Sequence, residues 1–162
     1  MCIEIRLREA GKGFAAAVRA GLRRQCDTMD RMAGHTRQRL TTLRDGLLHL
    51  HKSLMESERA AYERDVARIT SAGQYLNLVL NDPWFSWLRE LSQFIVLVDE
   101  TLDQKEPAGE ADASRLIASA RSLVAPAENG DRFGRAYWQA MQRDPGAVLA
   151  HRDMMQVFAK LV

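Results

Sequence analysis

The stretch TRQRLTTLRDGLLHLHKSL, residues 36–54, carries the clearest structural signal in the chain. Its leucines follow the alternating three- and four-residue spacing that lines one side of an α-helix: Leu40, Leu43, Leu47, Leu50 and Leu54. Further apolar residues continue this stripe at Ala61 or Tyr62, Val66 and Ile69. The pattern predicts one long amphipathic helix from about Thr36 to about Thr70, which Gly46 interrupts at modest cost.

Start signals for two further helices follow directly. Ser71 and Gln74 have the spacing of a capping box, which predicts a short helix that ends at Asn81. Its apolar positions are Tyr75, Leu76, Val79 and Leu80. Asp82-Pro83 combines an N-cap carboxylate with proline at the first helical position and predicts a helix to about Leu102. The wide apolar stripe of this helix places it at the centre of the bundle: Trp84, Trp87, Leu88, Leu91, Phe94, Ile95, Val98 and Leu102.

Three more helices are indicated after a polar loop at residues 103–109. Asp112 caps the first, which Pro126 closes, and the turn at residues 129–131 precedes the second. Asp144-Pro145 opens the third. Their expected apolar positions are Leu116, Ile117, Ala120, Leu123 and Val124, then Phe133, Tyr137, Trp138 and Met141, then Val148, Leu149, Met155, Phe158 and Leu161.

These signals predict an all-α protein with a single bundle of about five to six helices. At 162 residues, with 46% hydrophobic and 27% charged residues, the chain matches one globular domain. No segment shows the alternating pattern of a strand. We therefore expect a bundle domain at residues 35–162, preceded by a basic, partly ordered N-terminal arm at residues 1–34.

The N-terminal part of the chain is distinctly basic. Residues 1–44 contain 10 Lys or Arg and 4 Asp or Glu, whereas the remainder contains 13 and 17. Such an arm suits phosphate groups, so nucleic-acid binding is one hypothesis. Because Phe14 is the only aromatic residue in the arm able to stack on a base, a solvated basic tail is the favoured interpretation.

Several classes of protein are not indicated by the sequence. The longest strongly apolar run, residues 94–98, is far shorter than the roughly 20 residues of a membrane span, and no signal peptide is evident. Cys2 and Cys26 form neither a disulfide framework nor a zinc motif, so we expect a cytoplasmic protein. Phosphate-binding loops, serine nucleophile elbows and the HExxH motif are missing. The sequence thus predicts no catalytic residue and no cofactor.

The most distinctive segment surrounds Trp84 and Trp87. Large aromatic side chains beside a helix start can form a pocket wall or a binding hot spot, although core packing is the commoner role of such a stripe. Arg89 and Asp99 fall on a different face of the predicted helix. We take Trp84, Trp87, Arg89 and Asp99 as the candidate binding residues. His49 and His51 diverge by roughly 200° around a helix, so no metal site is predicted there.

Residues 82–100, DPWFSWLRELSQFIVLVDE, carry a resemblance to known proteins. Together with Asn129-Gly130-Asp131 and Asp144-Pro145, this segment resembles small uncharacterised bacterial all-helical proteins with a DPWFxWLRxLSxxIVxxDE-like segment. The resemblance covers roughly residues 40–160. It implies a bacterial cytosolic protein and brings no activity or ligand.

Three functional hypotheses remain open. The first is a noncatalytic helical-bundle interaction or regulatory protein that self-associates as a homodimer or binds another protein. The second is a small-molecule or metal-binding helical protein, or an enzyme, with a pocket near Trp84, Trp87 and Arg89. The third is nucleic-acid binding through the arm.

Overall fold

A computed structural model of the chain shows six α-helices in a bundle. They are α1 (Cys2–Asp65), α2 (Ala72–Asn81), α3 (Leu88–Leu102), α4 (Glu110–Leu123), α5 (Arg132–Arg143) and α6 (Pro145–Lys160). The structure describes the backbone of residues 2–161 and the side chains of residues 31–161. No strand occurs within that backbone, and the predicted all-α bundle is confirmed. Most of the predicted basic arm lies outside the described side chains, so the division near residue 34 stays a prediction.

The leucine stripe of α1 forms the centre of the core. All five leucines of the stripe, from Leu40 to Leu54, are buried, as the spacing predicted. The most extensive contacts of α1 are with α6 and α3, and it also packs on α4 and α5. The expectation that the helix ending at Leu102 would be central is therefore wrong. The reason is that, among the described helices, only α1 has an apolar stripe long enough to pack against four neighbouring helices.

Gly46 allows α6 to approach α1 closely. A Cβ atom at this position would lie 3.0 Å from Met154 Sδ and 3.1 Å from Val157 Cγ2. Such distances are tighter than ordinary van der Waals contact, so any larger side chain would push the two helices apart. The glycine that weakens the α1 pattern in the sequence therefore serves the packing of α1 on α6.

The end of α1 differs from the prediction. The helix ends at Asp65 rather than near Thr70, and Ile69 is buried from the connecting segment instead. Because the helical phase is lost after Asp65, Val66 leaves the apolar stripe and is exposed. The next start is as predicted, since Ser71 Oγ accepts a hydrogen bond from the Gln74 amide at 3.1 Å. Gln74 Oε1 in turn accepts from the amide of Thr70, one residue earlier than a standard capping box requires.

Asp82-Pro83 does not start a helix directly. Asp82 ends α2, with its amide donating to the Leu78 carbonyl, and its side chain accepts from the Trp84 amide at 2.8 Å. Residues 83–87 form turns, and α3 begins only at Leu88. This turn buries both Phe85 and Trp87. A helix starting at Pro83 would carry Phe85 roughly 60° away from Leu88, off the apolar stripe.

The starts of the last three helices agree more closely with the sequence. Asp112 Oδ2 accepts from the Gly109 amide at the start of α4, at 3.2 Å. Asp131 caps α5 by accepting from the Gly134 amide at 2.7 Å. Asp144 caps α6, with Pro145 in the first turn as predicted.

Several apolar residues assigned to inner faces are exposed in the structure: Leu76, Leu80, Val148, Leu149 and Met155. Helix α2 buries no residue fully and touches the core through Tyr75, Leu78 and Val79, which are partly buried. Helix α6 buries alanines at its contact with α1 instead of the larger residues beside them. These small side chains, like Gly46, permit a close approach of α6 to α1. With the alanines facing α1, the neighbouring Val148 and Leu149 point outward.

Candidate functional site

A buried ion pair lies beside the two predicted tryptophans. The Glu58 residue of α1 is only 4% exposed, and its carboxylate accepts a hydrogen bond from the Arg143 guanidinium at the end of α5. The Arg143 side chain is 29% exposed, so it reaches the carboxylate from the bundle surface. We call Glu58, Arg143, Trp84 and Trp87 the Glu58 cluster.

Helix periodicity explains why Glu58 points inward. It lies four residues after Leu54 and four before Tyr62, so it occupies the same side of α1 as these buried residues. A charged side chain is rarely buried without a partner, because burial removes the water that solvates the charge. Arg143 compensates for this by supplying the opposite charge and a donor.

The surroundings of Glu58 affect its pKa in opposite directions. Burial raises the pKa of the Glu58 carboxyl, whereas the Arg143 charge and the indole N–H groups of Trp84 and Trp87 act to lower it. Burial is the largest of these effects. The Trp84 Nε1 atom is fully buried and has no acceptor in good hydrogen-bonding geometry, so its effect on Glu58 comes from proximity.

Aromatic rings surround the Glu58 cluster on two sides. Tyr62 meets Trp84 edge to face at 5.7 Å and Phe85 at 5.6 Å between ring centroids. Trp87 packs against Phe133 of α5 at 5.4 Å. These contacts are typical of a core. The cluster is therefore built to hold α1, α5 and the turn before α3 together.

The structure separates the four predicted binding residues into three places. Trp84 and Trp87 lie together beside Glu58. Arg89 Nη2 donates to the Leu80 carbonyl at 2.9 Å, at the end of α2. Asp99 lies near Arg44 of α1, with 3.5 Å between Oδ1 and Nη1, and about 15 Å along α3 from Arg89. The binding role of the four residues stays a prediction.

Two histidines form further polar contacts between helices. His51 Nε2 lies 2.8 Å from Ser92 Oγ, joining α1 to α3. His151 Nδ1 lies 2.7 Å from the Tyr137 hydroxyl, joining α6 to α5. Burial lowers the pKa of both histidines and raises the pKa of the Tyr137 hydroxyl. These groups are thus held in their neutral forms.

The lowered histidine pKa values predict loss of stability in mild acid. The unfolded chain binds protons near pH 6.5, whereas folded His51 and His151 bind them only at lower pH, so the free energy of unfolding falls as pH drops through this range. We expect a lower melting temperature at pH 5.5 than at pH 7.5, and a smaller decrease in His51→Gln. The raised pKa of Glu58 has the opposite effect, since it favours the folded state as the pH falls. The test is therefore whether the melting temperature of His51→Gln decreases less between pH 7.5 and pH 5.5 than that of the wild type. His49→Gln, at an exposed position, is the control, and equal decreases in all three proteins would refute the prediction.

An open groove runs between α3 and α4. One part, of about 450 Å³, is lined by Thr101, Gln104, Ala108, Asp112, Arg115, Leu116 and Ser119. The other, of about 510 Å³, is lined by Glu90, Ser119, Ser122, Leu123, Ala125, Ala127, Gly130, Asp131 and Gly134. Ser119 lines both parts, so we treat them as one surface, the α3–α4 groove.

A smaller groove lies where the described side chains of α1 begin. Its volume is about 240 Å³, and Arg37, Leu40, Leu102, Pro107 and Ala108 are among the residues that line it. Neither this groove nor the α3–α4 groove is lined by a member of the Glu58 cluster.

Residues 31–161 contain no group of three or more His, Cys, Asp or Glu side chains placed to hold a metal ion. None of the described helices is long and apolar enough to cross a membrane. Comparison with known proteins found no matching family model, no matching curated protein and no matching solved structure. The resemblance stated from residues 82–100 accordingly stays a prediction.

Proposed function

We propose that this chain is a noncatalytic helical-bundle protein that acts through protein contacts and associates with copies of itself. The observation that carries the proposal is the set of large apolar side chains that the described helices leave exposed. Val96 and Leu97 on α3 are 52% and 46% exposed, and Leu76 and Leu80 on α2 are 59% and 58% exposed. Apolar surface that neighbouring helices of the same chain leave uncovered is a common feature of protein interfaces.

The arrangement of the Glu58 cluster supports an interaction role over catalysis. A catalytic carboxylate needs access to a substrate, whereas Glu58 is enclosed by its arginine and by aromatic rings. The two histidine contacts likewise use their polar atoms to join helices. These groups give the bundle a defined packing arrangement.

The proposal extends to location in a bacterial cytoplasm. Two cysteines without a disulfide pattern suit a reducing compartment. The resemblance of residues 82–100 to bacterial helical proteins supports the same assignment. Fractionation of the source cells would test it, and recovery of the protein outside the cytoplasm would overturn it.

Native mass spectrometry of the purified chain at micromolar concentration tests self-association. We expect a dimer of about 36.6 kDa, twice the 18.3 kDa of one chain. A monomer alone would contradict the proposal. A monomer with a retained small molecule would support the alternative, a ligand-binding protein with a pocket near Trp84 and Trp87.

A further inference from the structure

We propose that the smaller groove, where the described side chains of α1 begin, binds a small carboxylate with an aliphatic chain. This inference goes beyond the proposed self-association, because it concerns a ligand site and holds for a monomer and a dimer alike. Ligand sites are concave and mostly apolar, with a few polar groups that fix the orientation of the ligand. The smaller groove combines these two features.

The smaller groove lies between α1 and the segment at the end of α3. Ala33, Arg37 and Leu40 line it from α1, where their spacing of four and three residues places them on one face of the helix. Leu102 and Lys105 line it from the end of α3 and from the loop that follows. A ligand in the groove therefore contacts two separate parts of the bundle.

The floor of the smaller groove is apolar. Leu40 is 1% exposed and Leu102 is 6% exposed, so each core side chain presents only an edge to the groove. Pro107 and Ala108 add apolar surface from the loop. An aliphatic chain on this floor leaves water for hydrocarbon, which tightens binding about threefold for each methylene group that is buried.

A second pocket, of about 440 Å³, adjoins the smaller groove and gives the chain further room. Three residues line both spaces: Ala33, Pro107 and Ala108. Met32, which is 59% exposed, also lines the second pocket. Among the described residues, Glu110 is the only charged one that lines it, and its carboxylate already accepts from Thr36 Oγ1 at 3.0 Å and from Arg39. The second pocket therefore suits the apolar end of the ligand.

The charged residues that line the smaller groove are both basic. Arg37 Nη1 donates to the Leu102 carbonyl at 2.8 Å, which holds the guanidinium in place while its other nitrogens keep donors for a ligand. Lys105 supplies a second positive charge. The neighbouring acids Asp103 and Glu106 line neither the groove nor the second pocket. Arginine and lysine bind carboxylates through charge-assisted hydrogen bonds, so the head group that fits is an anion.

Isothermal titration of the full chain with octanoate tests the site, and octylamine is the probe with the same chain and the opposite charge. We expect octanoate to bind about fivefold more tightly than octylamine, because exposed charge contacts are modest. Octanoate that does not bind at millimolar concentration would overturn the proposal. Equal binding of the two probes would overturn the assignment of an anionic head group.

Gly34→Leu locates the binding. Gly34 lines the smaller groove, and a Cβ atom added there meets no atom within 4 Å, so a leucine occupies the groove without a clash. We expect octanoate to bind about tenfold more weakly to this variant. Gly73→Leu in α2 is the matched control, because its surroundings are equally open and it lines neither space. Far-ultraviolet circular dichroism checks that both variants are folded, and equal octanoate affinity of the two would refute the location.

Lys105→Gln tests the contact with the head group. We expect octanoate to bind about threefold to fivefold more weakly, as for the loss of one exposed charge contact, and octylamine to bind no more weakly than to wild type. Lys160→Gln is the control, because Lys160 is also exposed and lines neither space. If the two glutamine variants bind octanoate with the same affinity, Lys105 does not contact the carboxylate and the head-group assignment fails.

Discussion

Replacing Arg143 with methionine is expected to lower the free energy of unfolding by about 3 kcal/mol at pH 7. The variant leaves the Glu58 carboxylate buried without an opposite charge, because the remaining neighbours are indole N–H groups and aromatic rings. Urea denaturation followed by circular dichroism measures this loss. Arg135→Met, at an exposed position on the same helix, should change stability by less than about 0.5 kcal/mol.

A double variant identifies the cause of the Arg143→Met loss. Glu58→Leu combined with Arg143→Met removes the buried charge together with its partner, so most of the stability should return. Lowering the pH should also reduce the loss in Arg143→Met, because burial raises the pKa of Glu58 and the protonated carboxyl needs no counter-charge. Glu58→Leu alone completes the comparison. If the loss of stability in the double variant equals the sum of the losses in Glu58→Leu and Arg143→Met, the two residues are not coupled.

The caps show where local sequence determines structure and where packing overrides it. Asp82-Pro83 and Asp144-Pro145 carry the same signal, and only the second starts a helix directly. The first is followed by Phe85 and Trp87, which the bundle buries together through a turn. A helix signal is thus reliable when the next residues have a single apolar face to bury.

Exposure was harder to predict than helix position. The period of α1 correctly identified its buried leucines, because a helix with four neighbours buries its whole apolar stripe. In α2 and α6 the same rule placed Leu76 and Leu149 inside, and both are exposed. The sequence pattern does not give the distance between two packed helices. Between α6 and α1 this distance is set by the alanines of α6 and by Gly46 of α1.

Half of the Glu58 cluster was accessible from sequence alone. Trp84 and Trp87 are candidate binding residues in the sequence because their aromatic side chains are large. Glu58 and Arg143 cannot be paired from the sequence, because they are 85 residues apart and share no motif. One signal was available, since Glu58 is a charged residue on the apolar side of the α1 helix. A buried acid on such a face requires a basic partner, although the sequence does not say which of many arginines provides it.

The second large effect is expected from Leu47→Ala in the leucine stripe. Leu47 is fully buried at the point where α1 meets its neighbours, so truncation removes apolar contact and leaves a cavity. We expect a loss of about 3 kcal/mol in the free energy of unfolding, within the range known for buried leucines. Urea denaturation with unchanged m-value would confirm that the native state stays compact.

Leu48→Ala is the matched control for the stripe, because it deletes the same atoms from the adjacent residue. Leu48 is 45% exposed, so its truncation should cost less than about 1 kcal/mol. The difference in free energy of unfolding between Leu47→Ala and Leu48→Ala therefore tests which face of α1 is buried. A rotation of the helix by about 100° would exchange the environments of the two leucines. Equal losses in both variants, or a greater loss in Leu48→Ala, would contradict the packing of α1 at the centre of the bundle.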